Sequence, residues 1–163
     1  MQGKLRNMTG IYLLKGDKIL FLYRQGGKVV NNVWTASAGG HFEKDELNDA
    51  QACVIRELKE ELGLCPEDVK DMQLRYIALR NVNGEIRQNY YFFAELKDTV
   101  DENLHSNEGE CKWFSLDEIG ELEMPITAKY VMEHYCKVGR FTSKGYVGVT
   151  YPDRIEINEL VES

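Results

Sequence analysis

The sequence predicts an α/β protein in which a mixed, partly antiparallel sheet lies between helices, an α/β/α sandwich. Three observations carry this reading. Short β-rich apolar runs recur around turn signals, two segments with helical apolar spacing separate them, and Tyr90, Tyr91, Phe92 and Phe93 form an unbroken apolar run. Alternation marks a strand with one wet face, whereas an unbroken run is expected of a central strand covered on both faces. Strands and helices in this order stack as layers about one core.

Thr9 to Leu14 and Lys18 to Tyr23 are strand-like, and Lys15-Gly16-Asp17 between them reads as a hairpin turn. Gly26-Gly27 then opens a loop that leads to Trp34. A helix is expected from about Asp49 to Leu62, with Asn48 or Asp49 as its N-cap, Gly63 at its end and Pro66 just beyond. Ile55, Leu58 and Leu62, joined by Ala52 or Val54, form its apolar stripe opposite an acidic face. That division lets the helix pack on a sheet while presenting carboxylates to a cleft.

Gln73 to Arg80 and Arg87 to Glu95 flank Asn83-Gly84, the strongest short hairpin signal. Glu110 to Ser115 reads as a further short strand. Pro125 precedes a second helix, in which Thr127, Tyr130, Val131, His134, Tyr135 and Val138 keep the i, i+3, i+4, i+7 spacing and Gly139 marks the end. Phe141 to Val149 and Arg154 to Ile157 are expected to close the sheet. No repeat, low-complexity tract or Pro/Ser-rich linker interrupts residues 1–163, so one domain is expected.

Composition narrows the function. A chain of 163 residues, 43% hydrophobic and 29% charged, can bury a proper core. Its net charge of -7 argues against a nucleic-acid partner, which requires a basic face. A small phosphorylated substrate stays compatible, because a bound cation inverts the local field. Met1 to Met8 lacks the apolar core of a signal peptide, and no apolar run approaches membrane-spanning length. Cys53, Cys65, Cys111 and Cys136 are widely spaced, without a Cys-x-x-Cys pair, and read as reduced thiols rather than zinc ligands. These features together predict a cytoplasmic protein without a membrane partner, as a monomer or homodimer.

The chemistry concentrates between Gly39 and Leu64. Glu57, Glu60 and Glu61 fall within an arc of roughly 100° on the first helix. Glu57 and Glu61 are an i,i+4 like-charge pair, unfavourable on a bare helix. A cation between them reverses that cost, and oxygen-rich sites suit hard ions such as Mg²⁺ or Mn²⁺. A solvated acidic face is the plainer alternative for the three glutamates taken alone.

Arg56, Glu57, Leu58, Glu60, Glu61, Gly63 and Leu64 match the second half of G-x5-E-x7-R-E-U-x-E-E-x-G-U, where U is a bulky aliphatic residue, without a mismatch. In this the chain resembles the Nudix hydrolases. Gly40 and Glu46 keep the family's five-residue gap, but nine residues rather than seven separate Glu46 from Arg56. Counting back from Arg56 puts the family's first glutamate on Asn48, so a two-residue insertion is read into the loop ahead of the helix.

The resemblance implies the same α/β/α sandwich over essentially the whole chain. It implies metal ligation by Glu57, Glu60 and Glu61, with Glu57 also as general base, Arg56 orienting Glu57, and a backbone carbonyl of Gly39 or Gly40 completing the shell. Mg²⁺ is the implied cofactor, with Mn²⁺ as a substitute. Glu108, in Ser106-Asn107-Glu108-Gly109, matches the loop where MutT-type 8-oxo-dGTP diphosphatases place a further ligand or base. A loop-solvating role fits it equally. His41 reads as a supporting residue, and Arg24 as either a phosphate contact or a surface ion pair.

The implied activity is hydrolysis of a nucleoside triphosphate or other nucleoside diphosphate derivative, with 8-oxo-dGTP as the single best guess. Trp34-x-x-Ser37-x-Gly39-Gly40-His41 is similar to the isopentenyl diphosphate isomerase branch, which makes an isomerase the second enzyme reading. A non-catalytic nucleotide-sensing module is the third. The animal 8-oxo-dGTP enzymes follow a Trp-Pro with two aspartates, whereas here Met124-Pro125 is followed by Ile126 and Thr127.

Overall fold

Lys4–Lys15 (β1) and Lys18–Arg24 (β2) form the first hairpin, turned at Gly16 with φ of 59°. The computed structural model describes residues 2–25 and 32–163; the expected Gly26-Gly27 loop lies outside the described residues. After it come Val33–Thr35 (β3), Ala38–His41 (β4), the helix Ala50–Leu62 (α1), Val69–Val82 (β5), Glu85–Leu96 (β6) and Glu110–Ser115 (β7). The helix Ile126–Lys137 (α2) and strands Gly145–Thr150 (β8) and Ile155–Leu160 (β9) complete the chain.

These strands make one sheet in the order β3-β2-β1-β6-β5-β8-β9, with β4 also paired to β1 and β7 to β2. The β1–β6 and β5–β8 pairs are parallel and the others antiparallel, so the sheet is mixed as expected. β5 turns into β6 at Asn83 and Gly84, both with positive φ, which suits the inverse turn that Asn-Gly favours.

Period-two alternation sends side chains to two cores. Ile11 and Leu13, Leu20, and Phe92, Ala94 and Leu96 pack with Val54, Leu58 and Leu62 of α1. Their neighbours Tyr12, Phe21, Tyr91 and Phe93, with Tyr76, pack with Val131, Met132 and Tyr135 of α2. This places Tyr90 to Phe93 on a strand covered by both helix layers, which explains the unbroken apolar run. No helix among the described residues is long and apolar enough to cross a membrane.

β1 forks, and the fork positions the site. It pairs with β2 only at Leu14 and Lys15 and, farther back, with β4 from Met8 to Ile11. Where β1 and β2 part, the fully buried Ser37 hydroxyl accepts from the Leu13 amide at 3.0 Å and donates to the Leu20 carbonyl at 2.6 Å. Ser37 therefore replaces the missing ladder bonds, a structural task that accounts for its place in the Trp34 to His41 segment. Trp34 packs its ring against Tyr23 and Phe114.

Three expectations need correction. β1 begins at Lys4, because pairing with β6 from Glu85 onward recruits the polar Lys4 to Asn7. α2 ends at Lys137 with Val138 as its cap, and Gly139–Phe141 is a 3₁₀ turn, so Gly139 does not end the helix and no strand starts at Phe141. The buried Arg75 guanidinium fixes that turn by donating to the carbonyls of Gly139, Thr142 and Lys144 at 2.7–2.8 Å. On α1, Ile55 is only partly buried, and Cys53 and Glu57 join Val54, Leu58 and Leu62 on the covered face.

Candidate active site

α1 carries most of the site and is fixed at both ends. The Asp49 side chain accepts from the Ala52 amide at its start, and Gly63, left-handed at φ 69°, closes it. Its buried face rests on β1 and β4, so its glutamates stand beside the two glycines of β4. A Cβ on Gly39 would strike the Thr9 carbonyl of β1, and one on Gly40 would strike the Glu57 carboxylate. The double glycine is thus required by two different neighbours.

Arg56 organises the carboxylates. Its guanidinium makes a two-pronged pair with Glu46, Nε to Oε2 at 2.8 Å and Nη2 to Oε1 at 2.9 Å. Nη1 donates to Glu57 Oε1 at 2.9 Å and to Glu60 Oε2 at 3.1 Å, and Nη2 also reaches the His41 carbonyl at 3.1 Å. Glu46 is 6% exposed, and its hydrogen bonds from Arg56 hold its carboxyl down at about 2. These contacts give Glu46, and not Asn48, a direct hold on the motif arginine. Glu46 is buried and Asn48 is exposed, and residues 47–49 link Glu46 to α1. Spacing from Gly40 already pointed to Glu46; only the fold could show that it grips Arg56.

Glu57 lies deep, with burial raising its proton affinity against the opposing pull of Arg56. Glu61, one turn on, accepts from the Gly39 amide at 3.0 Å and faces Arg24 at 3.7 Å. Burial pushes its carboxyl up to about 7. Arg24 also faces Glu108 at 3.8 Å, so the loop glutamate and Glu61 meet through one guanidinium. Arg24 is therefore an ion-pairing residue of the site. Glu60 points away from the cleft and its side chain is 56% exposed.

A cleft of about 770 Å³ opens over Glu57, Glu61, Gly39, Gly40 and Glu108, and reaches the start of α2 at Pro125 and Thr127. Its size suits a nucleotide-sized ligand. Thr127 is buried and donates to Thr150, and the Met124-Pro125 pair is followed by Ile126 and Thr127 rather than by carboxylates.

The donor set fits a hard divalent cation in kind. Buried carboxylates that hold a proton as tightly as Glu61 gain when a cation replaces it, and oxygen ligands match Mg²⁺. The Gly40 approach leaves backbone beside Glu57 where any other residue would place a side chain. Among the described residues no three His, Cys, Asp or Glu groups converge into a cation cage: Glu57 and Glu60 turn to Arg56, and Glu61 turns to Gly39.

Other candidates take plain roles. His41 lies exposed, its imidazole 2.9 Å from an Arg6 nitrogen. His134 packs from α2 with Nδ1 2.8 Å from the Tyr76 hydroxyl, as a helix-packing residue should. Cys53 lies beside the Gly-rich strand, 4.0 Å and 3.7 Å from the carbonyls of Gly40 and His41. It is fully buried, and desolvation pushes its thiol up to about 11. A thiol buried in this way is a poor nucleophile.

The family model of the NUDIX domain matches residues 4–135. No curated protein matches the sequence. Solved structures share the fold. The mutator MutT protein of Bacillus halodurans aligns with TM-score 0.66 at 22% identity, covering 94% of this chain and 97% of that one. The NUDIX domain of Shewanella oneidensis NrtR, solved with ADP ribose, aligns with TM-score 0.61 at 14% identity, over 85% and 88%. An ADP-ribose pyrophosphatase of Streptococcus suis aligns with TM-score 0.55 at 19% identity, over 89% and 98%.

Proposed function

The chain belongs to the NUDIX family; from that premise we propose that it is a pyrophosphohydrolase, which cleaves nucleoside diphosphate derivatives or nucleoside triphosphates with help from Mg²⁺. The observation that carries the proposal is Glu57, a carboxylate buried between Arg56 and Gly40 yet open to a nucleotide-sized cleft.

Glu57, Glu61 and the Gly40 carbonyl line the cleft and would hold the cation, Glu60 would join them by turning from Arg56, and Mn²⁺ would substitute. When bound, Mg²⁺ would offset the negative charge of the scissile diphosphate and lower the pKa of an attacking water. Arg56 engages Glu57 through Oε1, which leaves Oε2 to take the proton from that water. Glu46 keeps Arg56 in that pose through its two-pronged contact. Arg24 and Glu108 close the far wall of the cleft, where Glu108 would act as a further ligand or base.

Two substrate readings have support. Likeness to a MutT fold favours an oxidised purine triphosphate, and likeness to an ADP-ribose-bound domain favours a diphosphate linking a nucleoside to a second group. The cleft wall at Pro125, Thr127 and Ala128 lacks acidic groups to read an oxidised purine, which favours the second. The test is a panel of canonical and oxidised nucleoside triphosphates, nucleotide sugars and dinucleoside polyphosphates, assayed for phosphate and pyrophosphate release in Mg²⁺ and in Mn²⁺. We expect a diphosphate derivative to turn over fastest. Failure of the whole panel with both metals would overturn the proposal.

A further inference from the structure

The strand register sets three arginines in one line. Arg6 of β1 lies opposite Arg87 of β6, and Arg87 lies opposite Arg80 of β5. All three occupy positions that alternate in phase with Tyr12, Tyr91 and Tyr76, so they share the α2 face of the sheet, and all three line the cleft that holds Glu57. Like charges directly opposite across strands are destabilising. Arg80 and Arg87 are such a pair on antiparallel strands, and Arg6 sits beside Arg87 across a parallel one, all on partly buried side chains in a chain of net charge -7.

Local compensation is incomplete. Arg87 pairs with Glu85 at 3.1 Å. Arg6 contacts the His41 imidazole at 2.9 Å, a partner with no negative charge to offer. Arg80 has no acidic partner among the described residues. An arrangement that breaks a local rule without an internal reward is expected at a functional site. The row is also separate from the carboxylates. Met8 and Asn89 form an uncharged row one step inward, and Gly40 pairs with Thr9, about 10 Å along β1 from Arg6 at strand rise.

From this we propose that Arg6, Arg87 and Arg80 form a second anion site, which selects diphosphate substrates carrying an additional phosphate on the part of the molecule remote from the scissile anhydride. The inference rests on the hydrolase reading and names the substrate class for that same cleft. Planar guanidiniums suit a phosphate dianion, which they grip by paired hydrogen bonds.

The test separates this site from turnover. Binding of adenosine 2′,5′-bisphosphate, adenosine 3′,5′-bisphosphate and AMP is measured by titration calorimetry without divalent cations. At least one bisphosphate should bind roughly tenfold more tightly than AMP, the worth of one charge-assisted hydrogen bond, and Arg80→Gln with Arg6→Gln should erase the difference. The preferred isomer tells which position of the second phosphate the row accepts. Equal affinities for all three ligands, or no binding of any, would overturn the proposal. So would a preference that survives in the double variant with its circular dichroism unchanged. Bisphosphate selectivity without hydrolysis of any diphosphate would leave the anion site standing and refute the hydrolase reading, whereas hydrolysis without selectivity would do the reverse.

Discussion

Replacing Glu46 with Gln removes the charge that grips Arg56 while keeping shape. The carboxyl lies at about 2 in the folded protein against 4.5 as its ordinary value. At 1.36 kcal/mol per unit that difference is worth about 3 kcal/mol at neutral pH. Glu46 is covered but lies close to the protein surface, so solvent screening makes this figure an upper value. Its sign follows from a depressed folded value. The contribution is complete above the unfolded value, shrinks as pH falls below about 4.5, and vanishes once pH drops below about 2. Thermal melts of wild type and Glu46→Gln at pH 7 should differ by at most roughly 6–12 °C for a domain of this size. Near pH 3 the free-energy gap should be about half its neutral value. A gap below about 1 kcal/mol at pH 7, or one that ignores pH, would refute the reasoning by making Glu46 an ordinary surface carboxylate.

Two further substitutions follow from the fork and the double glycine. Ser37→Ala strands the Leu13 amide and the Leu20 carbonyl and should cost roughly 1–3 kcal/mol in urea unfolding, with no change of m-value. Gly40→Ala drives a methyl into the Glu57 carboxylate, and steady-state assay should show kcat reduced on the order of a hundredfold.

The parts of this fold governed by local chemistry could be read directly. The first helix runs from its Asp49 cap to its Gly63 stop, the Asn83-Gly84 hairpin turns where expected, and Glu110–Ser115 is a strand over the range its residues suggest. What escaped depends on partners distant in sequence. β4 contains Gly39 and Gly40, which have no strand preference, and exists because β1 pairs with it. The turn at Gly139 to Phe141 is fixed by Arg75, more than sixty residues away in the chain. In the site, the cluster of Arg56, Glu57, Glu60 and Glu61 was legible because one helical turn holds it together. Whether Glu46 or Asn48 served Arg56 was not, since a loop insertion shifts spacing without revealing where the side chains go. Arg6, Arg80 and Arg87 meet only through the register of three strands and leave no motif.

The central claim is that Glu57 is the carboxylate through which this cleft activates water. It is tested most directly by the kcat of Glu57→Gln on the best substrate of the panel in saturating Mg²⁺, with circular dichroism confirming the fold. The account predicts a fall of at least about two orders of magnitude, in the range lost with a general base. Turnover within about twofold of wild type, from a protein folded as before, would contradict it.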